Sequence, residues 1–370
     1  MSARFLTVVL ERAFNMRDGF GREIDYMRIS VIDSCNLNCY YCNPCDNNEH
    51  CHALNILNRS SDLRFVRAAT RLGIKHFRLT GGEPLLHPQL DEMVLQIKKI
   101  SGVSSVSLTT NAVLLAQHAK WLKEAGIDSI NVSLDTIDAS EYERITKKPL
   151  LEEVKHGINA AIECGIRVKI NVVLTPQTDV VALTRYVAKK GTDIRFIEMM
   201  PVGEGHTNGV EPYKKVIGTL SKLYGEPCRI NTEKTKEINS GNDKRKIPDN
   251  GPAEYYIFPE LGIRVGLIQA IHGKFCDTCN RIRVTADGRL MPCLGSSVTM
   301  DLVPDSWDFA DDAEKDFSIV RALRAAIKAK PRCHNFNDNA VTYTKTTETK
   351  TTEIEAAEVN AARNMSRIGG

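Results

Sequence analysis

The sequence predicts an α/β protein organised on a parallel β-sheet, and three observations predict it. Short β-rich runs recur through the first half of the chain, amphipathic segments separate them, and polar or glycine-containing signatures follow the runs directly. Alternation of strand and helix lays the strands in parallel under covering helices, either as an open doubly wound sheet or as a partial barrel. Periodicity alone does not separate those two.

Six strands are expected, at MRISVID (27–33), KHFRLT (75–80), VSSVSLTT (103–110), SINVSL (129–134), RVKINVV (167–173) and DIRFIE (193–198). Each is rich in residues that fit a pleated surface. Between them, stretches such as HPQLDEMVLQIKKI and LLAQHAKWLKEAG repeat apolar residues at three- and four-residue intervals, the spacing of a helix with one buried face. The signatures DSCNLNC, GGEP, TNA, DT, LTP and MMPVG come at the strand ends and would project from one side. In β/α barrels the loops at the carboxyl ends of the strands build the active site, so a single catalytic face is expected there.

Near residue 205 the rhythm changes, which divides the chain into 1–205, 206–340 and a 341–370 tail. The second part holds a helix near 212–224, a polar loop NTEKTKEINSGNDKRKIPDNG, strand-like YYIF and GIRVGLIQ, a cysteine segment, and a helix around DFSIVRALRAAIKAK. The Thr/Lys/Glu-rich tail reads as solvated and flexible, and it ends in Gly369-Gly370.

With 42% apolar and 26% charged residues the chain has an ordinary globular composition. No apolar run approaches the roughly 20 residues that span a bilayer, and MSARFLTVVLERAF is too short an apolar stretch for a secretory signal, so a cytoplasmic protein without a membrane partner is expected. Lys and Arg (49) nearly balance Asp and Glu (46), and a net charge of +3 gives no ground for a nucleic-acid partner. Eleven cysteines in such a chain favour metal or redox chemistry over a disulfide framework.

Cys35, Cys39 and Cys42 are spaced C-x-x-x-C-x-x-C directly after the first strand. Three thiolates on one loop can hold three irons of a 4Fe–4S cluster and leave the fourth open to an amine and carboxylate chelate. The alternative is a zinc knuckle completed by His50 or His52, with Cys45 and Cys51 nearby. The same logic returns in FCDTCNRIRVTADGRLMPC, where Cys276, Cys279 and Cys293 flank Arg281 and Arg283. Alternate residues of a strand share a face, so these two arginines would reach one surface beside an open iron. Guanidinium forks suit phosphate oxygens, and the ligand expected is a phosphorylated molecule whose other end meets that iron. A zinc ribbon using His272, with the arginines in surface ion pairs, is the alternative.

The first spacing, with GGEP after the second strand, resembles the radical S-adenosylmethionine (SAM) superfamily, which implies a partial (β/α)6 TIM-like barrel. YMRISV, CNLNCYYC, RLTGGEPLL, LTTNA, INVSLDT, VKINVV, RFIEMMPVG, GPAEYY, FCDTCNRIRVTADG and MSRIGG together, in this order, resemble the GTP 3′,8-cyclase family of molybdenum-cofactor biosynthesis. The resemblance implies a smaller C-terminal α+β domain with a second 4Fe–4S cluster, GTP as substrate, and a 5′-deoxyadenosyl radical that abstracts the ribose 3′ hydrogen. It implies SAM contacts at Tyr41, Gly82, Ser133 and Met200, and GTP contacts at Arg28, Arg78, Thr109, Lys169, Arg195, Arg281, Ile282 and Arg283. Arg281, Arg283 and a Gly369-Gly370 tail entering the active site would assist catalysis. An electron donor and the downstream cyclic pyranopterin synthase are implied partners, and a homodimer is compatible with the family. Ser34, Asn43, His76 and Ala112 depart from the usual arginine, methionine, lysine and glycine.

Overall fold

Six parallel strands form within three residues of the expected ends: β1 (Tyr26–Ser30), β2 (His76–Thr80), β3 (Ser105–Thr110), β4 (Ser129–Ser133), β5 (Val168–Val173) and β6 (Asp193–Ile197). The computed structural model describes residues 16–42, 63–201, 210–230, 251–296, 298–302, 311–334 and 336. Crossovers are carried by α1 (Arg64–Arg71), α2 (Leu90–Lys99), α3 (Leu115–Glu124), α4 (Ala139–Thr146), α5 (Leu151–Glu163) and α6 (Val180–Lys189). Their ends follow local chemistry. Asp138 and Asp179 cap α4 and α6 by accepting from the backbone N–H of Glu141 and Ala182. In α2, Asp91 and Glu92 sit in the first turn and Lys98 and Lys99 in the last, which complements the helix dipole.

Strand alternation makes the two faces of the sheet. Met27, Ile29, Phe77, Leu79, Leu108, Ile130, Ile170 and Phe196 are buried against the helices, each contributing about 1.5–3 kcal/mol by leaving water. The residues between them, Arg28, Arg78, Thr109, Asn131, Lys169 and Arg195, fall on the opposite, inner face.

The C-terminal strands extend this same sheet. They are β7 (Cys228–Ile230), β8 (Glu254–Ile257), β9 (Arg264–Ile268), β10 (Arg281–Val284), β11 (Arg289–Met291) and β12 (Met300–Asp301), with α7 (Gly218–Tyr224) and α8 (Asp312–Lys328) beside them. β9 pairs parallel with β6, and β10 pairs parallel with β1. The order is β12-β11-β10-β1-β2-β3-β4-β5-β6-β9-β8-β7, so the six strands do not close on themselves. β1 and β6 each turn to a C-terminal strand instead.

Ala112 stands in the left-handed region at φ 65° and is fully buried. Its N–H is held by Thr110 Oγ1 at 2.9 Å, which fixes the turn after β3. A side chain there costs about 1–2 kcal/mol, partly offset by the lower unfolded-state entropy of alanine. Ala112→Gly should therefore raise stability by about 0.5–1 kcal/mol in urea unfolding; a loss of stability would contradict the strain.

Candidate active site

Register places the inner-face cations side by side. Arg28 of β1 has Arg283 of β10 as its neighbour on one side and Arg78 of β2 on the other. Across the sheet the line continues through Thr109, Asn131 and Lys169, and Arg195 lies beside Asn171 and Gly266. Arg78, Lys169, Arg195 and Arg283 are buried. Burial first, then the guanidiniums of Arg283 and Arg78, push the proton affinity of Arg28 well below its ordinary value. Burial and Arg281 likewise lower Arg283 to about 10. Guanidinium keeps its proton at neutral pH, so this repulsion is relieved by a bound anion.

Two of these cations are aimed by neighbours, of which Tyr26 and Asn171 carry no site signal of their own in the sequence. Arg78 Nε donates to the Tyr26 hydroxyl and its Nη1 reaches Thr109 Oγ1 at 3.4 Å. Arg195 Nε donates to Asn171 Oδ1 at 2.9 Å. Arg195 lies across Gly266, where an added Cβ would meet Arg195 Cγ at 2.8 Å and the Tyr255 ring at 2.9 Å. Asn131 Oδ1 is buried in the same line without a hydrogen-bond partner, as a ligand-facing polar atom would be. Gly266→Ala should displace Arg195 and weaken binding of the anionic ligand roughly tenfold, since a small-to-large change in a packed site costs about 1–3 kcal/mol. Equilibrium binding checks it, and unchanged affinity would show that Arg195 does not contribute.

At the carboxyl end of β1, Cys35, Cys39 and Cys42 come together on one loop. Burial pushes the Cys35 thiol up to about 11, and raises Cys39 and Cys42 further. The thiols also push on one another. Thiolates so placed need a cation between them. Among the described residues no three Cys, His, Asp or Glu side chains are set to hold a single metal ion. Thiols at separate corners of a cubane suit a cluster, and the residues fit one.

The loops around this triad are bolted together. Gly82 packs on the backbone of the cysteine loop: a Cβ would meet the carbonyl oxygens of Ser34 at 2.2 Å and Asp33 at 2.5 Å. Glu83 is fully buried and accepts from Leu85 N, Thr110 Oγ1 and Asn111 N. Asn111 in turn donates to Asn36 Oδ1 at 2.7 Å and faces Cys35 Sγ at 3.8 Å. Tyr41 donates its hydroxyl to Asp135, whose other oxygen accepts from Val173 N at 2.8 Å. Ser133 is exposed at the end of β4. Met200 is partly buried against Met291, beside Leu294 and Phe336.

Burial raises Glu83 from 4.5 to about 7, against the pull of its three hydrogen bonds. The folded protein then binds this proton more tightly than the unfolded chain, so the stability Glu83 contributes is greatest below about pH 4.5. It is lost as pH rises to about 7. Compared with Glu83→Gln, the unmodified chain should lose stability across that window in urea unfolding; a pH-independent difference would contradict the burial.

The second triad sits at the opposite end of the β1–β10 pair, because Cys276 and Cys279 precede β10. Burial would raise Cys279, but Arg281 and then Lys330 pull it down to about 6. Arg281 stacks over Phe275 with 4.9 Å to the ring centre and donates to Cys279 Sγ at 3.5 Å. Cys276 is buried, and burial pushes its thiol up. Ile282 is fully buried and pairs with Met27, so its side chain lies in the core and only its backbone borders the site. His272, the alternative zinc ligand, bonds Glu198 through Nδ1. His76 bonds Ser105 Oγ through Nδ1 at 2.8 Å and stacks near Tyr26. Gly369, Gly370 and Asn43 lie outside the described residues.

A parallel strand–helix array with a C-x-x-x-C-x-x-C loop at the end of its first strand defines an enzyme of the radical SAM class. Residues 29–182 match the radical SAM superfamily, and residues 192–336 match Molybdenum Cofactor Synthesis C. The chain is 35% identical over 324 residues to a GTP 3′,8-cyclase of Clostridium perfringens, covering 87% of this chain and 95% of that protein. It is 34% identical over 331 residues to a GTP 3′,8-cyclase of Petrotoga mobilis, covering 88% and 96%. The chain belongs to the GTP 3′,8-cyclase family. Its fold is similar to the crystal structure of Streptococcus suis SuiB, with TM-score 0.51 and 16% identity over 87% of this chain and 72% of that one. Among the described residues no helix is long and apolar enough to cross a membrane.

Proposed function

We propose that this chain cyclises GTP to (8S)-3′,8-cyclo-7,8-dihydroguanosine 5′-triphosphate, the first step of molybdenum-cofactor biosynthesis. The observation that carries it is a row of largely buried cations that crosses the strands at a level between two cysteine triads at opposite ends of one strand pair. The five residues of β1 span on the order of 15 Å. A ligand lying along them can touch both ends.

Cys35, Cys39 and Cys42 would hold the first 4Fe–4S cluster, and Cys276, Cys279 and Cys293 the second. When bound, the first cluster and SAM would supply the radical chemistry that removes the ribose 3′ hydrogen, and the cyclisation would join that carbon to C8 of guanine. Tyr41, Gly82, Ser133 and Met200 border the SAM side. Arg28, Arg78, Thr109, Lys169, Arg195, Arg281 and Arg283 hold GTP, whose roughly four negative charges offset the repulsion among the cations. The backbone of Ile282 borders the base, and Gly369-Gly370 enters as a side-chain-free tail. Asp135 fixes Tyr41, and Glu83 with Asn111 fixes the first cysteine loop. The division 1–205, 206–340 and 341–370 assigns radical formation to the first part and substrate anchoring to the second. An external one-electron donor and a cyclic pyranopterin synthase complete the sequence.

The balance is one GTP, one SAM, two electrons and one proton giving methionine, 5′-deoxyadenosine and an isomer of GTP. Anaerobic turnover with SAM and GTP tests it. The expected product has the mass of GTP, a shifted retention time and no intact purine absorption. SAM cleavage that leaves GTP unchanged would refute the assignment.

A further inference from the structure

Directly after α8 the chain buries a lysine. Lys330 is 3% exposed, and its Nζ donates to Arg281 O at 2.7 Å and Pro292 O at 3.0 Å. Its ammonium also lies in the field of Cys279 and Cys293. An ammonium has three donors. Here two go to backbone on either side of the second triad, at the first residue of β10 and the residue before Cys293.

A buried charge requires an opposite charge. None of these partners is a carboxylate; burial pulls the proton affinity of Lys330 below its ordinary value, and the Cys279 and Cys293 thiolates act against that pull. Its surroundings are built to hold it: Arg22, itself buried, donates to the carbonyls of Pro331 at 2.6 Å, Arg332 at 3.0 Å and Cys276 at 2.6 Å. The first triad is the reverse case. Glu83 acts on Cys35, and Asp135 acts on Cys39 and Cys42. One triad has buried acidic side chains beside it and the other has basic ones.

We propose that Lys330 is a positioning residue for the second cluster, tying the start of β10 to the Cys293 loop, and that its fixed charge shifts that cluster toward its reduced form. This rests on the assignment of a second 4Fe–4S cluster to Cys276, Cys279 and Cys293. Reduction takes one electron from an external low-potential donor, with no bond made or broken. A cation beside the ligating sulfurs stabilises the more negative state, so the second cluster is easier to reduce with Lys330 charged than without it.

The test uses full-length protein in which Cys35, Cys39 and Cys42 are all alanine, leaving only the second cluster. Lys330→Met, Lys330→Gln and Lys330→Arg are made in that background, and iron content and the midpoint potential are read by an electron-paramagnetic-resonance titration. With iron retained, the neutral variants should shift the reduction equilibrium at least tenfold against reduction, about 59 mV for a one-electron couple, and arginine should restore most of it. Loss of iron in the neutral variants with retention in the arginine variant would also support the fixed charge. Unchanged iron and unchanged potential in the neutral variants would overturn the proposal, as would loss of iron in all three. If the background protein itself binds no iron, the cluster assignment fails, and this inference with it.

Discussion

Arg283→Ala should weaken GTP binding on the order of 100-fold while leaving SAM cleavage without GTP largely intact. Arg283 is buried, stands beside Arg28 in register, and shares its strand with Arg281. A buried charge-assisted contact is worth roughly 2–3 kcal/mol, and each 1.4 kcal/mol is tenfold in affinity. Arg281 is half-buried and already engaged with Phe275 and Cys279, so Arg281→Ala should cost less, about tenfold. The separation between binding and cleavage follows from position, because Arg281 pairs with Tyr26 at the far end of β1 from the first triad and Arg283 pairs with Arg28 at its middle. Isothermal titration checks the first half and 5′-deoxyadenosine formation the second. Unchanged GTP affinity in both variants would remove the arginines from the site.

The cysteine triads should separate just as cleanly. Cys39→Ala should reduce iron from about eight to about four per chain and abolish SAM cleavage, with GTP binding retained. Cys279→Ala should also halve the iron, but SAM cleavage should persist and GTP affinity should fall. Both readouts come from one anaerobic preparation: iron analysis, absorption near 400 nm, and binding. Loss of SAM cleavage in Cys279→Ala together with full iron in Cys39→Ala would reverse the assignment. Zinc in place of iron in the parent protein would contradict cluster chemistry altogether.

The strands of the parallel array were legible because each carries its own alternation. HFRLT and VKINVV show a core face and a polar face without reference to any partner. The edges of the array were not legible. RIRV and RVGLI have the same local pattern, but that they pair with β1 and β6 is a non-local fact, settled by packing across most of the chain. The placement of Arg281 and Arg283 on one face followed from the two-residue repeat. Their meeting with Arg28 and Arg78 depended on that pairing.

The supporting residues were the least legible. Glu83, Asn111 and Asp135 stand inside or next to motifs whose other members draw attention, and their work is to tie loops together through hydrogen bonds spanning many residues. Gly266 carries no motif and matters only because Arg195 crosses it. Lys330 reads in sequence as one more cation at the end of a helix, and its burial on the carbonyls of Arg281 and Pro292 shows only in three dimensions.

The central claim is that the radical acts on the ribose of a nucleotide held between the two triads. Anaerobic turnover of GTP carrying deuterium at the ribose 3′ carbon tests it directly. The 5′-deoxyadenosine recovered should be one mass unit heavier, with one label per turnover, while GTP labelled elsewhere on the ribose should transfer none. Unlabelled 5′-deoxyadenosine alongside consumption of the 3′-labelled GTP would contradict the account.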